Sequence, residues 1–213
     1  MVFEYTYAPC KKGFSVLQNI KGEMKFTFRM KAVVFVKMSE RFPGKHRILV
    51  RGKQIIDYEL ERIGLSGCFN EVIVISKDRY LTTKNARIVK DSTQGTLIDS
   101  LIFALEEEGE FMAFAGDMPL VSPEFIRRMC LMYNGTPVVP QWNDGKIEPM
   151  MAIYNSSLVQ ELKAYINSGK KSLREFILNS AFVRIDIPQN REMEECFLNV
   201  NYPEDLLEVE KLI

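Results

Sequence analysis

Apolar residues recur along this chain in two rhythms. Ala32-Val33-Val34-Phe35-Val36 and Glu71-Val72-Ile73-Val74-Ile75-Ser76 carry short, unbroken β-branched runs, the pattern of strands buried on both faces. Phe111-Met112-Ala113-Phe114-Ala115 is a third such run, and Ala86-Arg87-Ile88-Val89 a weaker one. Between them, Ile55, Ile56, Leu60 and Ile63 fall at helical spacing, as do Leu97, Leu101 and Leu105 with Ile98 and Ile102 beside them, predicting a helix over 96–107. A further helix is expected around Glu124 to Met132, with Ser122 as N-cap and Pro123 at the first helical position. Strand and helix thus alternate, which predicts an α/β fold with a mostly parallel sheet covered by helices on both faces.

After the strand-like Thr136-Pro137-Val138-Val139-Pro140 the pattern loosens. Ile147 to Tyr154 reads as a strand, 156–167 and 172–179 as helices, 182–187 as a strand, and Pro203-Glu204-Asp205 as the start of a last helix. No Pro/Gly/Ser-rich linker divides this half from the first, so residues 31–213 are expected to form one domain with two halves, 31–140 and 141–213. Residues 1–30 resist interpretation beyond a short hairpin, and Met30 is itself a candidate start.

The apolar run 111–115 ends in Gly116-Asp117-Met118-Pro119, which delivers a carboxylate to the carboxyl edge of the sheet, where open α/β folds bind ligands. A carboxylate there suits Mg²⁺, which is bound through one or two carboxylates plus substrate oxygens. A solvated Asp before a helix is the competing reading. Removing a strand-end carboxylate that packs little apolar area is expected to spare the fold. The first strand runs into Ser39-Glu40-Arg41-Phe42-Pro43-Gly44-Lys45, a basic, turn-prone loop at the same edge. Lys45 is placed to neutralise charge on a phosphate and Arg41 to grip phosphate oxygens in bidentate fashion, unless the loop is merely solvated.

Composition then prunes the chemistry. His46 is the one histidine, which removes zinc hydrolases and Ser-His-Asp enzymes, and no Gly-x-Ser-x-Gly elbow is present. Lys plus Arg equals Asp plus Glu at 28 each, so no overall field favours nucleic acid or an anionic membrane. With 213 residues, 46% of them hydrophobic, the chain has an ordinary globular core. Cys10, Cys68, Cys130 and Cys196 lie far apart, without the spacing of a zinc site or redox dithiol, and are expected to be buried free thiols. With neither a membrane-length apolar run nor a signal-peptide pattern, the expectation is a cytoplasmic protein.

From about residue 31 onward the chain resembles the molybdenum cofactor guanylyltransferase (MobA-like) family, within the nucleotide-sugar pyrophosphorylase superfamily. Ser39-x-Arg41-x-x-Gly44-Lys45 with Ile48-Leu49 and Gly52-Lys53 resembles its activation loop, and Asp117-Met118-Pro119 its metal-binding Asp-x-Pro. Glu148-Pro149-Met150-x-Ala152-x-Tyr154 is similar to the stretch near the pterin, Lys170-Lys171-Ser172-Leu173 to the segment before the next helix, and Asn199-x-Asn201-x-Pro203-Glu204-Asp205 to the near-terminal signature. The resemblance implies a Rossmann-like three-layer sandwich with a mostly parallel twisted sheet, of the nucleotide-diphospho-sugar transferase type.

It also implies the reaction, an in-line attack of a terminal phosphate of molybdopterin on the α-phosphorus of GTP, with release of pyrophosphate. Asp117 then holds Mg²⁺, Lys45 the α- or β-phosphate and Arg41 the outer phosphates. Val36, Lys37 and Met38 line the nucleotide, Ser76 lies beside the nucleoside, and Asp91 resembles the family's Asp near guanosine. For Asp91 an N-cap-like role ahead of the helix at 96–107 competes. Glu148, Asn199 and Asn201 fall on the acceptor side, although the asparagines equally suit a turn into the last helix. Other cofactor-biosynthesis or molybdoenzyme-assembly proteins are the partners the family suggests.

One departure stands out. The family's first strand enters Leu-Ala-Gly-Gly, whereas here the positions are Phe35-Val36-Lys37-Met38, with side chains where glycines admit the nucleotide. Arg41-Phe42-Pro43-Gly44-Lys45 is also similar to the Arg-x-Pro-Gly-Lys of sugar-acid cytidylyltransferases. A cytidylyltransferase, or a non-catalytic nucleotide or pterin carrier, therefore stays open beside the guanylyl reading.

Overall fold

A computed structural model describes residues 14–18, 24–28 and 30–213. Strands β1 (Phe14–Gln18) and β2 (Met24–Phe28) pair antiparallel as a hairpin, while Cys10 lies outside the described residues. The main sheet has seven strands: β3 (Met30–Val36), β6 (Phe69–Ser76), β7 (Arg87–Lys90), β8 (Phe111–Ala115), β9 (Val138–Gln141), β10 (Ile153–Tyr154) and β11 (Val183–Asp186). Their order is β11-β9-β10-β8-β3-β6-β7. Every adjacent pair is parallel except those made by the two-residue β10, which runs antiparallel to both β8 and β9. A separate two-stranded ribbon joins β4 (Leu49–Val50) to β5 (Lys53–Gln54).

Two helical layers cover the sheet. Alternation along β3 sends Ala32, Val34 and Val36 to one face, against α1 (Ile55–Leu65) and α3 (Pro123–Met132), and Val33 and Phe35 to the other, against α2 (Leu97–Glu108), α4 (Val159–Asn167) and α5 (Leu173–Leu178). This is why the strands read as continuous apolar runs. The architecture is a three-layer α/β sandwich on a mostly parallel sheet. Central β3 leads through α1 to β6 on one side, while β8 pairs with its other side. The carboxyl ends of β3 and β8 therefore flank the point where strand order reverses, the usual crevice of open α/β sheets.

Local chemistry explains several boundaries. Ser122 caps α3 by accepting from Phe125 N at 3.2 Å, with Pro123 next in line. Thr96 and Asp99 form a capping box at the start of α2, so the N-cap role weighed for Asp91 belongs to Thr96. The strand expected over 147–154 shrinks to β10, because Pro149 offers no N–H to a ladder and Pro149–Met151 forms a 3-10 turn instead. Two short helices close the chain, α6 (Arg191–Cys196), whose charged sequence has no readable apolar stripe, and α7 (Asp205–Leu212). Cys68 and Cys130, distant in sequence, share the core on the α1/α3 face, where Cys68 Sγ donates to the Ser66 carbonyl at 3.6 Å. The influence of each thiol on the other lowers the pKa of Cys68 and raises that of Cys130, a proximity that spacing did not reveal. Among the described residues no helix is long and apolar enough to cross a membrane.

Candidate active site

At the carboxyl ends of β3 and β8 lies a cavity of about 450 Å³, lined among others by Lys37, Met38, Arg41, Lys45, Asp117 and Asn201. Three segments remote in sequence bring its polar groups together. The loop after β3 turns at Ser39, whose hydroxyl accepts from Phe42 N at 3.1 Å. It then passes through Gly44, whose φ of 71° lies in the left-handed region that glycine adopts without strain, into a 3-10 turn at Lys45–Arg47. That turn buries Lys45 and His46.

Inside, Lys45 Nζ donates to Asp117 Oδ2 at 2.6 Å, to the carbonyl of Val200 at 2.6 Å and to Asn201 Oδ1 at 3.2 Å. The third segment is pinned in turn, since Val200 N donates to the Asp117 carbonyl at 2.9 Å. The turn into α7 is made by Asp205, whose Oδ2 accepts from Asn201 N at 2.7 Å and Tyr202 N at 2.8 Å. This frees the Asn201 side chain to face Lys45. Arg41 is exposed at the cavity rim, where its guanidinium donates to the Tyr202 hydroxyl at 3.2 Å and lies 5.8 Å from that ring's centre.

His46 ties the first loop to the end of β8. Its Nδ1 sits 2.5 Å from the Gly116 carbonyl and its Nε2 3.2 Å from that of Lys37. Two carbonyl partners favour an imidazolium, but burial outweighs them and lowers the pKa of His46. A neutral ring has one N–H, and the shorter contact assigns it to Nδ1. Glu59 on α1 is fully buried beneath the same strand end, and burial together with the nearby Asp117 carboxylate raises its pKa well above the ordinary range. For Lys37, partial desolvation and the Lys77 ammonium lower the pKa.

The remaining residues singled out in the sequence stand outside this lining. The Val36 side chain is buried in the core, and the Ser76 hydroxyl accepts from Asp78 N at 2.9 Å. Asp91 accepts from Ser100 Oγ at 2.7 Å and from Thr93, with Lys77 Nζ at 3.6 Å; burial opposes its charge, but these donors hold its pKa below the ordinary carboxylate value. Glu148 pairs with Trp142 Nε1 at 2.7 Å and Lys146 at 2.8 Å, and Asn199 donates to the Phe197 carbonyl at 3.2 Å. Conversely, Phe35, Ala115, Leu97 and Met150 form apolar walls of the cavity; Phe35 and Met150 fall within family-like stretches, whereas no chemical signal in its sequence context marks Leu97.

A family model, the MobA-like NTP transferase domain, matches residues 37–184. The chain belongs to this family. Being of the MobA-like NTP transferase family, it is a nucleotidyltransferase. It is 32% identical over 190 residues to a probable molybdenum cofactor guanylyltransferase of Thermococcus gammatolerans, covering 84% of this chain and 98% of the relative. Its fold matches the molybdopterin-guanine dinucleotide biosynthesis protein A of Archaeoglobus fulgidus with a TM-score of 0.68 at 24% identity, over 86% of this chain and 98% of that one. A cytidylyltransferase from Leptospira borgpetersenii shares the fold at a TM-score of 0.67 and 18% identity, over 85% of each chain. The MobA-like match begins at Lys37, where the first strand leaves the sheet, and so includes the cavity loop and Asp117 but ends before Asn199.

Proposed function

We propose that this nucleotidyltransferase moves GMP from GTP to molybdopterin. An oxygen of the acceptor's terminal phosphate forms a bond to the α-phosphorus of GTP, the bond from that phosphorus to the bridging oxygen breaks, and pyrophosphate leaves with the electron pair. Chemistry of this kind rests on positioning and charge neutralisation. The observation that supports it most is the convergence of Lys45, Asp117 and Asn201, one from each of three family-like motifs, at the wall of one cavity.

Asp117 is the residue that would hold Mg²⁺. Lys45 uses its Oδ2, and among the described residues no donor reaches Oδ1. A carboxylate with one free oxygen suits Mg²⁺, whose other ligands are commonly substrate phosphates and water. Bound there, the ion neutralises charge on the phosphates. Lys45 holds charge against the α- or β-phosphate, and Arg41 at the rim takes the outer phosphates, its guanidinium steadied by Tyr202. Lys37 lines the cavity where the family has glycine and offers an ammonium in place of backbone amides. Glu148 and Asn199, which lie outside the lining, would reach an acceptor only after some rearrangement of their present hydrogen bonds.

The Arg41-Phe42-Pro43-Gly44-Lys45 spacing favours one second reading, a sugar-acid cytidylyltransferase. Calorimetric titration of GTP, CTP and ATP with Mg²⁺, followed by pyrophosphate release in the presence of molybdopterin, separates the two. GTP-selective binding with molybdopterin-dependent release is expected. CTP selectivity would transfer the assignment to the second reading, and no binding at all would make the chain a carrier.

A further inference from the structure

Helix α1 buries an apolar stripe at Ile55, Ile56, Leu60 and Ile63. Glu59 sits on that stripe, at 0% exposure, where a leucine or methionine would satisfy the helical pattern. A buried carboxyl is costly unless its oxygens are hydrogen-bonded. Glu59 is served only in part: Oε2 accepts from Met118 N at 3.3 Å, while Oε1 has no partner among the described residues. Nothing in packing or in hydrogen-bond satisfaction explains a glutamate here. Its one contact does, because Met118 directly follows Asp117.

We propose that Glu59 is a positioning residue, holding the Asp117–Met118 peptide so that the Asp117 carboxylate faces the cavity; its role in catalysis rests on the functional reading above. The backbone around Asp117 is held at three successive residues. Gly116 N donates to the Phe35 carbonyl at 3.1 Å and its carbonyl faces His46, the Asp117 carbonyl accepts from Val200 N, and Met118 N is held by Glu59. The first two sets fix the peptide on the side of the sheet and of the chain's last segment. Only Glu59 holds it from α1. Without that acceptor Met118 N loses its partner, the peptide keeps only its carbonyl's bond to Val200 N, and the hold on the Asp117 side chain loosens.

The test uses the full-length protein with two substitutions, Glu59→Met and Glu59→Gln. Methionine fills the volume but offers Met118 N no acceptor, whereas glutamine keeps one. Glu59→Met is expected to melt at or above the wild-type temperature, since an unpartnered buried carboxyl has gone, yet to lose roughly 10- to 100-fold in kcat with KM for GTP changed by less than about threefold. Glu59→Gln is expected to stay within about threefold of wild type in both. Crystal structures should show the Asp117 carboxylate displaced in the methionine variant alone. Wild-type kcat in Glu59→Met, equal impairment of both variants, or unfolding of either overturns the proposal. If the wild-type protein itself transfers no GMP, the functional reading fails instead, and the position of Asp117 in the Glu59→Met crystal still decides whether Glu59 positions it.

Discussion

Lys45 and Asp117 form an ion pair of 2.6 Å although 72 positions separate them, and Lys45 is the more buried of the two, its side chain 6% exposed against 19% for Asp117. With Val200 and Asn201 taking its other protons, all three donors of the ammonium are engaged. A phosphate can therefore reach Lys45 only by displacing one of these partners. The pair also joins the loop after β3 to the end of β8, so its chemistry and its stability are linked.

Asp117→Ala and Asp117→Asn should separate those two roles. Alanine leaves a buried ammonium without its counter-charge and should cost about 3 kcal/mol of stability, against the sequence-based expectation that the fold is spared. Asparagine keeps an acceptor for Lys45 and should recover most of that loss. Both should lower transfer by roughly two orders of magnitude or more. Chemical denaturation and pyrophosphate release measure the two effects, and an alanine variant as stable as wild type would show that the pair contributes little.

Gly116→Ala should shift the end of β8. A Cβ there would stand 2.6 Å from Val36 Cγ2 and 3.3 Å from Val34 Cγ1, and both belong to β-branched side chains locked in the sheet. The overpacking should cost about 1–3 kcal/mol. Because Asp117 is the next residue, activity should fall further than stability alone accounts for. A variant with lowered melting temperature but full kcat would place the strain in the core rather than the site.

Acidification should expose His46. Its pKa is lowered in the folded protein by burial, so the unfolded chain takes up that proton first as pH falls. Stability tied to the neutral ring is complete above the unfolded value of about 6.5 and is lost as pH falls from there toward the lower folded value. Melting temperatures of wild type and His46→Gln, compared from about pH 8 to pH 5, should diverge at neutral pH and converge on the acid side. Parallel curves would mean that His46 titrates alike in both states.

Lys37 lines the cavity at the position where the family resemblance leads one to expect glycine. If its ammonium replaces a glycine's backbone contacts, Lys37→Gly should weaken GTP binding, and by more at low ionic strength, where charges on an exposed residue are less screened. Calorimetry at two salt concentrations reads this directly. Tighter binding in the glycine variant would show that Lys37 obstructs the site.

Much of this architecture was legible in the sequence because it depends on short-range pattern. Continuous, short apolar runs at 32–36, 72–75 and 111–115, the first two rich in β-branched residues, read as strands covered on both faces, and the helical stripes between them supply the cover. The step from Ala115 through Gly116 to Asp117 marks a carboxylate at the sheet edge for the same reason. What depends on long-range closure was not legible. Lys45 finds Asn201 156 positions away, and Cys68 finds Cys130, only because the sheet order brings those segments together. Nothing in the sequence singled out Glu59, since periodicity reports which residues share a face but not that a charged one lies under the strand carrying Asp117. Pro149 ended a strand that apolar content alone would have extended, because a ladder needs N–H donors and hydropathy does not count them.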